Sequence, residues 1–251
     1  MDLKDKVAIV TGGSQGIGKV YCYELAKQGA NVVIADINDE KGKDLEASLK
    51  QEGYSCLFVN VNVANPDSTK HMAELVAKEF GRIDILINNA AVFSTIKMKP
   101  FEEIELNEWD LVMDVNVKGV FLCCKAVVPY MRQQKAGRII NIASDVVFSG
   151  KTDFIHYVAS KSAILGFTRA LAREVGDDNI TANIIAPGPV FTEVQRETTT
   201  KEQDKMNLDK QCIKRPANPD DLVGIVSFLS SDQSSFITGQ IVTVNGGKEM
   251  Y

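Results

Sequence analysis

Two stretches of the chain combine residue types that can do chemistry. The first is Thr11-Gly12-Gly13-Ser14-Gln15-Gly16-Ile17-Gly18-Lys19, directly after the apolar run 7–11. Where a strand turns into a helix, free backbone N–H groups and the helix dipole gather anions, so a phosphorylated ligand is expected there. As Gly13-x-x-x-x-Gly18-Lys19 the loop approaches a P-loop, with Asp36 in the place of a metal-binding acid, but residue 20 is Val and the hydroxyl that would hold Mg²⁺ is missing. As Gly12-x-Ser14-x-Gly16 it has the spacing of a nucleophile elbow, yet that turn needs a sheet already built before it and acid and histidine partners after it. Only one strand precedes Ser14. As Gly12-x-x-x-Gly16-x-Gly18 it is a wider-spaced relative of the dinucleotide fingerprint, which needs a tight turn, close approach of a pyrophosphate and close helix–strand packing. The third reading is favoured. Asp36 ends the next apolar run, 18 residues after Gly18 (36 − 18 = 18), where a carboxylate can accept hydrogen bonds from ribose hydroxyls.

The second stretch is Tyr157-x-x-x-Lys161. A phenol with a pKa of about 10 is a poor base at neutral pH. A lysine one helical turn further lies on the same face, and its ammonium favours the phenolate. Lowering the phenol by ~3 units asks for about 4 kcal/mol, which a fixed, partly desolvated cation can supply. Taken alone, such a pair is common on solvated helix faces. Ser144 alone reads as a turn or cap residue, and Asn116 alone as a satisfied buried amide. His156 points elsewhere on its helix and reads as a pocket-rim or surface residue, and His71 as exposed.

These residues must be positioned by the elements between them. Runs at 7–11, 32–35, 56–61, 83–87, 138–142, 181–186 and 241–244 are the strand candidates. Helical stretches are expected near 16–29, 39–52, 66–80, 107–134, 154–176 and 219–230, with Asn65 before Pro66 and Asn218 before Pro219 as cap signals. This alternation predicts a single Rossmann-type doubly wound α/β domain over 1–251, with a seven-stranded, mostly parallel sheet and helices on both faces. Only 188–215 breaks the rhythm, with prolines, the threonines of 198–200 and a charged stretch, and a lid or substrate segment is expected there, mobile over 191–213 until substrate binds. Ala159, Ala163, Gly166 and Ala170 place small residues on one helical face, suited to another helix or to the chain's own sheet.

Composition excludes several classes. With 251 residues, 45% hydrophobic and 24% charged, the chain is neither disordered nor low-complexity. No apolar stretch is long enough for a membrane span, and the chain starts without a signal-peptide pattern, so a cytoplasmic protein is expected. A net charge of −5 with scattered basic residues argues against nucleic acid or an anionic membrane as partner. The five cysteines lack a Cys-x-x-Cys spacing, so neither a disulfide framework nor a metal site is indicated, and they read as small core residues.

Asn88-Asn89-Ala90, Asn116, Ser144, Tyr157-x-x-x-Lys161 and Pro187-Gly188-x-Val190-x-Thr192, following the glycine loop in that order, resemble the short-chain dehydrogenase/reductase family. The resemblance runs from Lys6 to Gly247 and includes the separations of Ser144 from Tyr157 (157 − 144 = 13) and of Asn116 from Ser144 (144 − 116 = 28). It implies an oxidoreductase moving hydride between NAD and a secondary alcohol or ketone. Tyr157 would be the base, Lys161 would also hold the nicotinamide ribose, Ser144 would bind the substrate oxygen, and Asn116 would anchor a water relay to Lys161. The cofactor would lie along Gly12, Ser14, Gln15, Gly16, Ile17, Gly18, Asp36, Ile37, Asn62, Val63, Asn89, Ala90, Tyr157, Lys161, Pro187, Gly188, Val190 and Thr192. A homotetramer is implied as well. Departures are Ala91 after Asn-Asn-Ala, Asn62 where aspartate is commoner beside the adenine, and Asn245 before Gly246-Gly247. Val92, Phe93, Val146, Val147, Phe148, Phe154 and Phe191 suggest an apolar or aromatic substrate. A 3-oxoacyl carrier-protein reductase is the alternative, but such enzymes bring basic residues to a 2′-phosphate where this chain has Gln15, Asp36 and Ile37, with Lys41 too far along to serve. A catalytically idle NAD-sensing regulator is the alternative from another class.

Overall fold

The computed structural model describes residues 2–195 and 201–250. Its strands are β1 (Val7–Thr11), β2 (Asn31–Asp36), β3 (Cys56–Asn60), β4 (Ile85–Asn88), β5 (Gly137–Ile142), β6 (Ile180–Pro187) and β7 (Ile241–Val244). They form one sheet in the order β3-β2-β1-β4-β5-β6-β7. Every neighbouring pair is parallel, including β7, so the sheet exceeds the expected "mostly parallel".

A parallel sheet needs crossovers, and the helices supply them on both faces. They are α1 (Gly16–Lys27), α2 (Asp39–Gln51), α3 (Pro66–Phe80), α4 (Leu106–Met113), α5 (Gly119–Gln134), the short α6 (Val146–Ser149), α7 (Ile155–Val175), α8 (Lys201–Lys210) and α9 (Asp220–Ser230). Alternate residues of β1 show the two-sided burial: Val7 and Ile9 join one hydrophobic cluster with Val127 and Ile164, while Ala8 and Val10 join the other with Leu25 and Val226. The strand order reverses between β1 and β4, and at such a switch point the loops leave the strand ends in opposite directions and open a crevice.

Some local expectations need correction. The 107–134 stretch is not one helix: a π-turn at Asp114–Lys118 separates α4 from α5, and it turns the Asn116 side chain into the interior. Asn65 caps α3 by accepting from the Ser68 N–H (2.9 Å), with Pro66 at the first helical position. Asn218 does not cap α9; the Asp221 carboxylate caps the turn in reverse, accepting from the Asn218 N–H at 2.9 Å. The charged stretch after β6 contains α8, hidden from periodicity because its residues are almost all polar. Four cysteines are buried, but Cys212 is exposed.

Candidate active site

A cleft of about 850 Å³ opens at the carboxyl ends of the strands, across the β1/β4 switch point. Of the expected site residues, all but Ser14 and Asn116 line it.

Its wall starts at the glycine loop. Gly12 has φ +62°, and a Cβ there would lie 2.8 Å from the Ala90 Cα; a Cβ on Gly18 would lie 2.1 Å from the Gly12 carbonyl oxygen. Only glycine fits these two approaches. Asn89 staples β4 to this loop: its Nδ2 donates to the Thr11 and Gly12 carbonyls at 3.0 and 2.9 Å, and its N–H donates to the Thr11 hydroxyl. Gln15 gives α1 no side-chain cap, and no acidic residue stands in the first turn, so Gly16, Ile17 and Gly18 bring backbone groups to the cleft wall without a local anion. The carboxylate found there comes from afar: Glu193 Oε1 accepts from the Gly16 N–H at 2.8 Å.

Asp36 ends β2 in the cleft wall. Its Oδ2 accepts from both the N–H (3.0 Å) and the hydroxyl (2.7 Å) of Ser14, and its Oδ1 accepts from the Asn38 N–H at 2.9 Å. Ser14 is therefore a buried support beneath the cleft rather than a wall residue. Asn38 caps α2, and the tight first turn swings Lys41 back onto the loop, where its ammonium donates to Gln15 Oε1. Sequence separation had put Lys41 out of reach; the cap brings it to the cleft mouth. Asn62, in the cleft wall, spends its Oδ1 on the Ala64 N–H at 3.0 Å, so its Nδ2 is the side-chain group left to serve a ligand as donor.

The other end of the cleft is built by β5 and α7. The inward stripe of α7 carries His156, Tyr157, Ser160, Lys161, Ile164 and Thr168, so the tyrosine–lysine pair lies on its buried face. Tyr157 packs on Phe154 and Phe93, with ring centroids 4.7 and 5.0 Å away. Lys161 is 4% exposed; its ammonium donates to the Ile142 carbonyl at 2.8 Å and lies 5.8 Å from the Tyr157 ring centre. Burial lowers its pKa to about 8, so it is still mostly protonated at neutral pH. Ser144, after β5, is half-buried in the wall.

Asn116 stands behind the site. Its Oδ1 accepts from the Val92 N–H at 2.8 Å, and its Nδ2 donates to the Val92 carbonyl and to the Ser160 hydroxyl. Both ends of its side-chain amide are thus committed to the chain itself, in the π-turn between α4 and α5. His156 is fully buried, not a rim residue: α4 covers it, with Nε2 3.3 Å from Glu108 Oε1.

Val92, Phe93, Val146 and Phe154 line the cleft as expected, whereas Val147 lies outside it, Phe148 packs toward Ala143, Ile184 and Ala186, and Phe191 is exposed outside it. Sequence reasoning missed Asp145, Lys248 and Glu249. The Lys248 ammonium meets Asp145 Oδ2 at 3.1 Å, both side chains are nearly buried, and the pair sits beside Ser144. Burial pushes the Asp145 carboxyl up, against the pull of Lys248. Separated by 103 positions, these residues left no local signal. From α8, Gln203, Met206, Asn207 and Lys210 reach the same cleft, and the expected lid has anchored ends: Phe191 N–H donates to the Ala217 carbonyl, and the Cys212 and Ile213 N–H groups donate to Gly246. The threonines at 198–200 lie outside the described residues.

Residues 6–203 match the family model described as short chain dehydrogenase. The chain is a member of the short-chain dehydrogenase family. Like the family, it is an oxidoreductase served by a nicotinamide cofactor. This short-chain dehydrogenase is 36% identical over 247 residues to a 3-oxoacyl-[acyl-carrier-protein] reductase of Staphylococcus epidermidis, covering 98% of this chain and all of the relative. It is equally 36% identical, over 251 residues, to the (2S)-[(R)-hydroxy(phenyl)methyl]succinyl-CoA dehydrogenase subunit BbsD of Thauera aromatica, covering 100% and 99% of the two chains. The solved structure of a levodione reductase superposes with a TM-score of 0.91 at 28% identity and covers 98% of both chains. The glycines that admit no Cβ, and the α1 N-terminus without a local acid, fit a dinucleotide.

Proposed function

We propose that this short-chain dehydrogenase is NAD(H)-dependent and acts on an apolar or aromatic secondary alcohol or its ketone. The observation that carries the chemistry is the buried ammonium of Lys161 beside the Tyr157 ring, in one cleft with Ser144. When bound, the nicotinamide supplies hydride exchange with the carbinol carbon. Tyr157 takes or returns the hydroxyl proton at its phenolic oxygen, held toward phenolate by the Lys161 charge. Ser144 hydrogen-bonds the substrate oxygen, while Asn116 positions the wall through Val92 and Ser160. The Val92, Phe93, Val146 and Phe154 side chains exclude water and fit an apolar substrate.

Asp36 supports NAD. A 2′-phosphate carries roughly −1.5 to −2 charges at neutral pH, and beside a carboxylate about 4 Å away it would be repelled by several kcal/mol before screening. Even ~3 kcal/mol surviving favours NAD by about two orders of magnitude. A second reading, an NADPH-dependent 3-oxoacyl carrier-protein reductase, is favoured by Lys41, whose ammonium at Gln15 can meet a phosphate, and by the Staphylococcus relative.

The chain is further proposed to work as a cytoplasmic homotetramer, with neither nucleic acid nor membrane as partner. Among the described residues no helix is long and apolar enough to cross a membrane. Ala159 and Ala163 are half-buried and Gly166 and Ala170 exposed, so this face of α7 is turned away from its own sheet and is open to another helix. A panel of alcohols and ketones, assayed with NADH and NADPH by cofactor absorbance, tests the proposal. Turnover of apolar or aromatic members with NADH supports it, and turnover confined to 3-oxoacyl thioesters with NADPH selects the second reading. Absence of any turnover would favour a regulator.

A further inference from the structure

From the Glu193 carboxylate on the Gly16 N–H we infer that Glu193 competes with the dinucleotide's phosphates for the start of α1 and thereby sets cofactor affinity. The inference rests only on a dinucleotide binding at the glycine loop, not on which substrate is turned over.

Three observations converge. The Gly16 N–H belongs to the first helical turn, where orphan donors and the helix dipole favour an anion, and α1 provides none of its own. Glu193 supplies one across 177 positions of sequence, at 2.8 Å. The contact belongs to a built approach: a Cβ on Gly16 would lie 3.2 Å from Val194 Cγ2 and 3.8 Å from the Thr192 hydroxyl, so the whole 192–194 strand of chain is seated against the loop. Glycine at 16, with φ +57°, permits that seating. Burial raises the Glu193 carboxyl, but its bonds to the Gly16 N–H and to its own N–H, with the charges of Lys19 and Lys41, outweigh burial and hold it below the ordinary range. It is therefore an anion at neutral pH, as a phosphate is.

Two anions cannot share that N–H, so the dinucleotide enters only when Glu193 has left. A site open for a fraction f of the time shows an apparent dissociation constant larger by 1/f. A carboxylate at an exposed helix start is worth up to ~1 kcal/mol, about a fivefold effect. Competition of this kind slows association and leaves dissociation unchanged, which a merely structural role for Glu193 would not do.

The test uses intact wild type, Glu193→Gln and Glu193→Ala, with the better bound of NADH and NADPH, with ADP-ribose and with adenosine as probes, read by fluorescence titration and stopped flow. Glu193→Ala should bind both pyrophosphate-bearing probes three- to fivefold more tightly, with the gain in the association rate, and Glu193→Gln should fall between it and wild type. Adenosine, which has no phosphate, should bind all three alike. Unchanged or weaker dinucleotide binding in both variants, a gain found only in dissociation, or an equal gain for adenosine would overturn the inference. If wild type binds neither dinucleotide, the dinucleotide site itself is refuted, and the competition with it.

Discussion

Lys161→Met should make the protein more stable while destroying its activity. An ordinary lysine titrates near 10.4, whereas burial brings Lys161 down to about 8. Between these values the unfolded chain holds a proton that the folded chain has lost, so this group's contribution to stability rises with pH across the window and is least favourable below it. A gap of about 2.5 units corresponds to roughly 3 kcal/mol of cost at pH 7. Against this, the methionine forfeits the hydrogen bond to the Ile142 carbonyl, worth about 1 kcal/mol net. The variant should therefore gain about 2 kcal/mol, or about 4 to 8 °C in Tm for a chain of this size. The advantage has its own pH signature: nearly full below pH 8, less than half as large by about pH 9.5, and gone by about 10.5, where the lysine is neutral in the unfolded chain as well as in the folded one. Paired calorimetric melts at pH 7 and 9.5 measure both quantities. A variant that melts at or below wild type at pH 7, or whose advantage persists undiminished at pH 9.5, would refute the claim that burial strains this charge.

Tyr157→Phe should reduce turnover at least tenfold while leaving dinucleotide affinity nearly unchanged in a fluorescence titration, because the phenolic oxygen is lost while Lys161 remains. In wild type, kcat/KM should fall on the alkaline side with a midpoint near 8 as Lys161 loses the proton that supports the phenolate, and Lys161→Arg should move that limb upward in a pH–rate profile. NADH should be preferred to NADPH at least a hundredfold in kcat/KM, and Asp36→Asn should shrink the ratio sharply while Asp36→Ala lowers Tm further, since the amide keeps one acceptor oxygen of the two that serve Ser14 and Asn38 and alanine keeps neither. Light scattering at micromolar concentration should report a tetramer, and Gly166→Glu on the exposed small-residue face should dissociate it.

Much of this architecture was legible because its signals are local. The β-branched runs, Asn65-Pro66 and the glycines of the first loop each state their conformation within a few residues, and the strand ends then gather the motif residues without further instruction. What sequence missed depends on distance or on cooperativity. The π-turn at Asp114–Lys118 is stabilised by Asn116 reaching Val92 and Ser160, not by any helix propensity. Helix α8 has no apolar period to reveal it. His156 reads from its sequence as a pocket-rim or surface residue because its burial is decided by α4, whose Glu108 covers it. Asp36 and Ser14 were both expected on the ligand, yet a carboxylate that accepts three hydrogen bonds from the chain also builds the loop that the ligand meets. Lys41 and Glu193, which bear on cofactor choice and affinity, are visible only once caps and loops have folded back.

The all-parallel sheet carries a kinetic consequence. Each strand pair must wait for the helix that crosses between its members, and no hairpin can nucleate the site. Loops after β1, β4, β5 and β6 meet only when strands distant in sequence have aligned, as the Gly16–Glu193 contact shows at its extreme. Such non-local pairings are slow to form because chain entropy is surrendered before contacts repay it. During refolding, helical circular dichroism should therefore recover early and the binding of dinucleotide last, which makes cofactor fluorescence a reporter of the fully assembled chain rather than of any part of it.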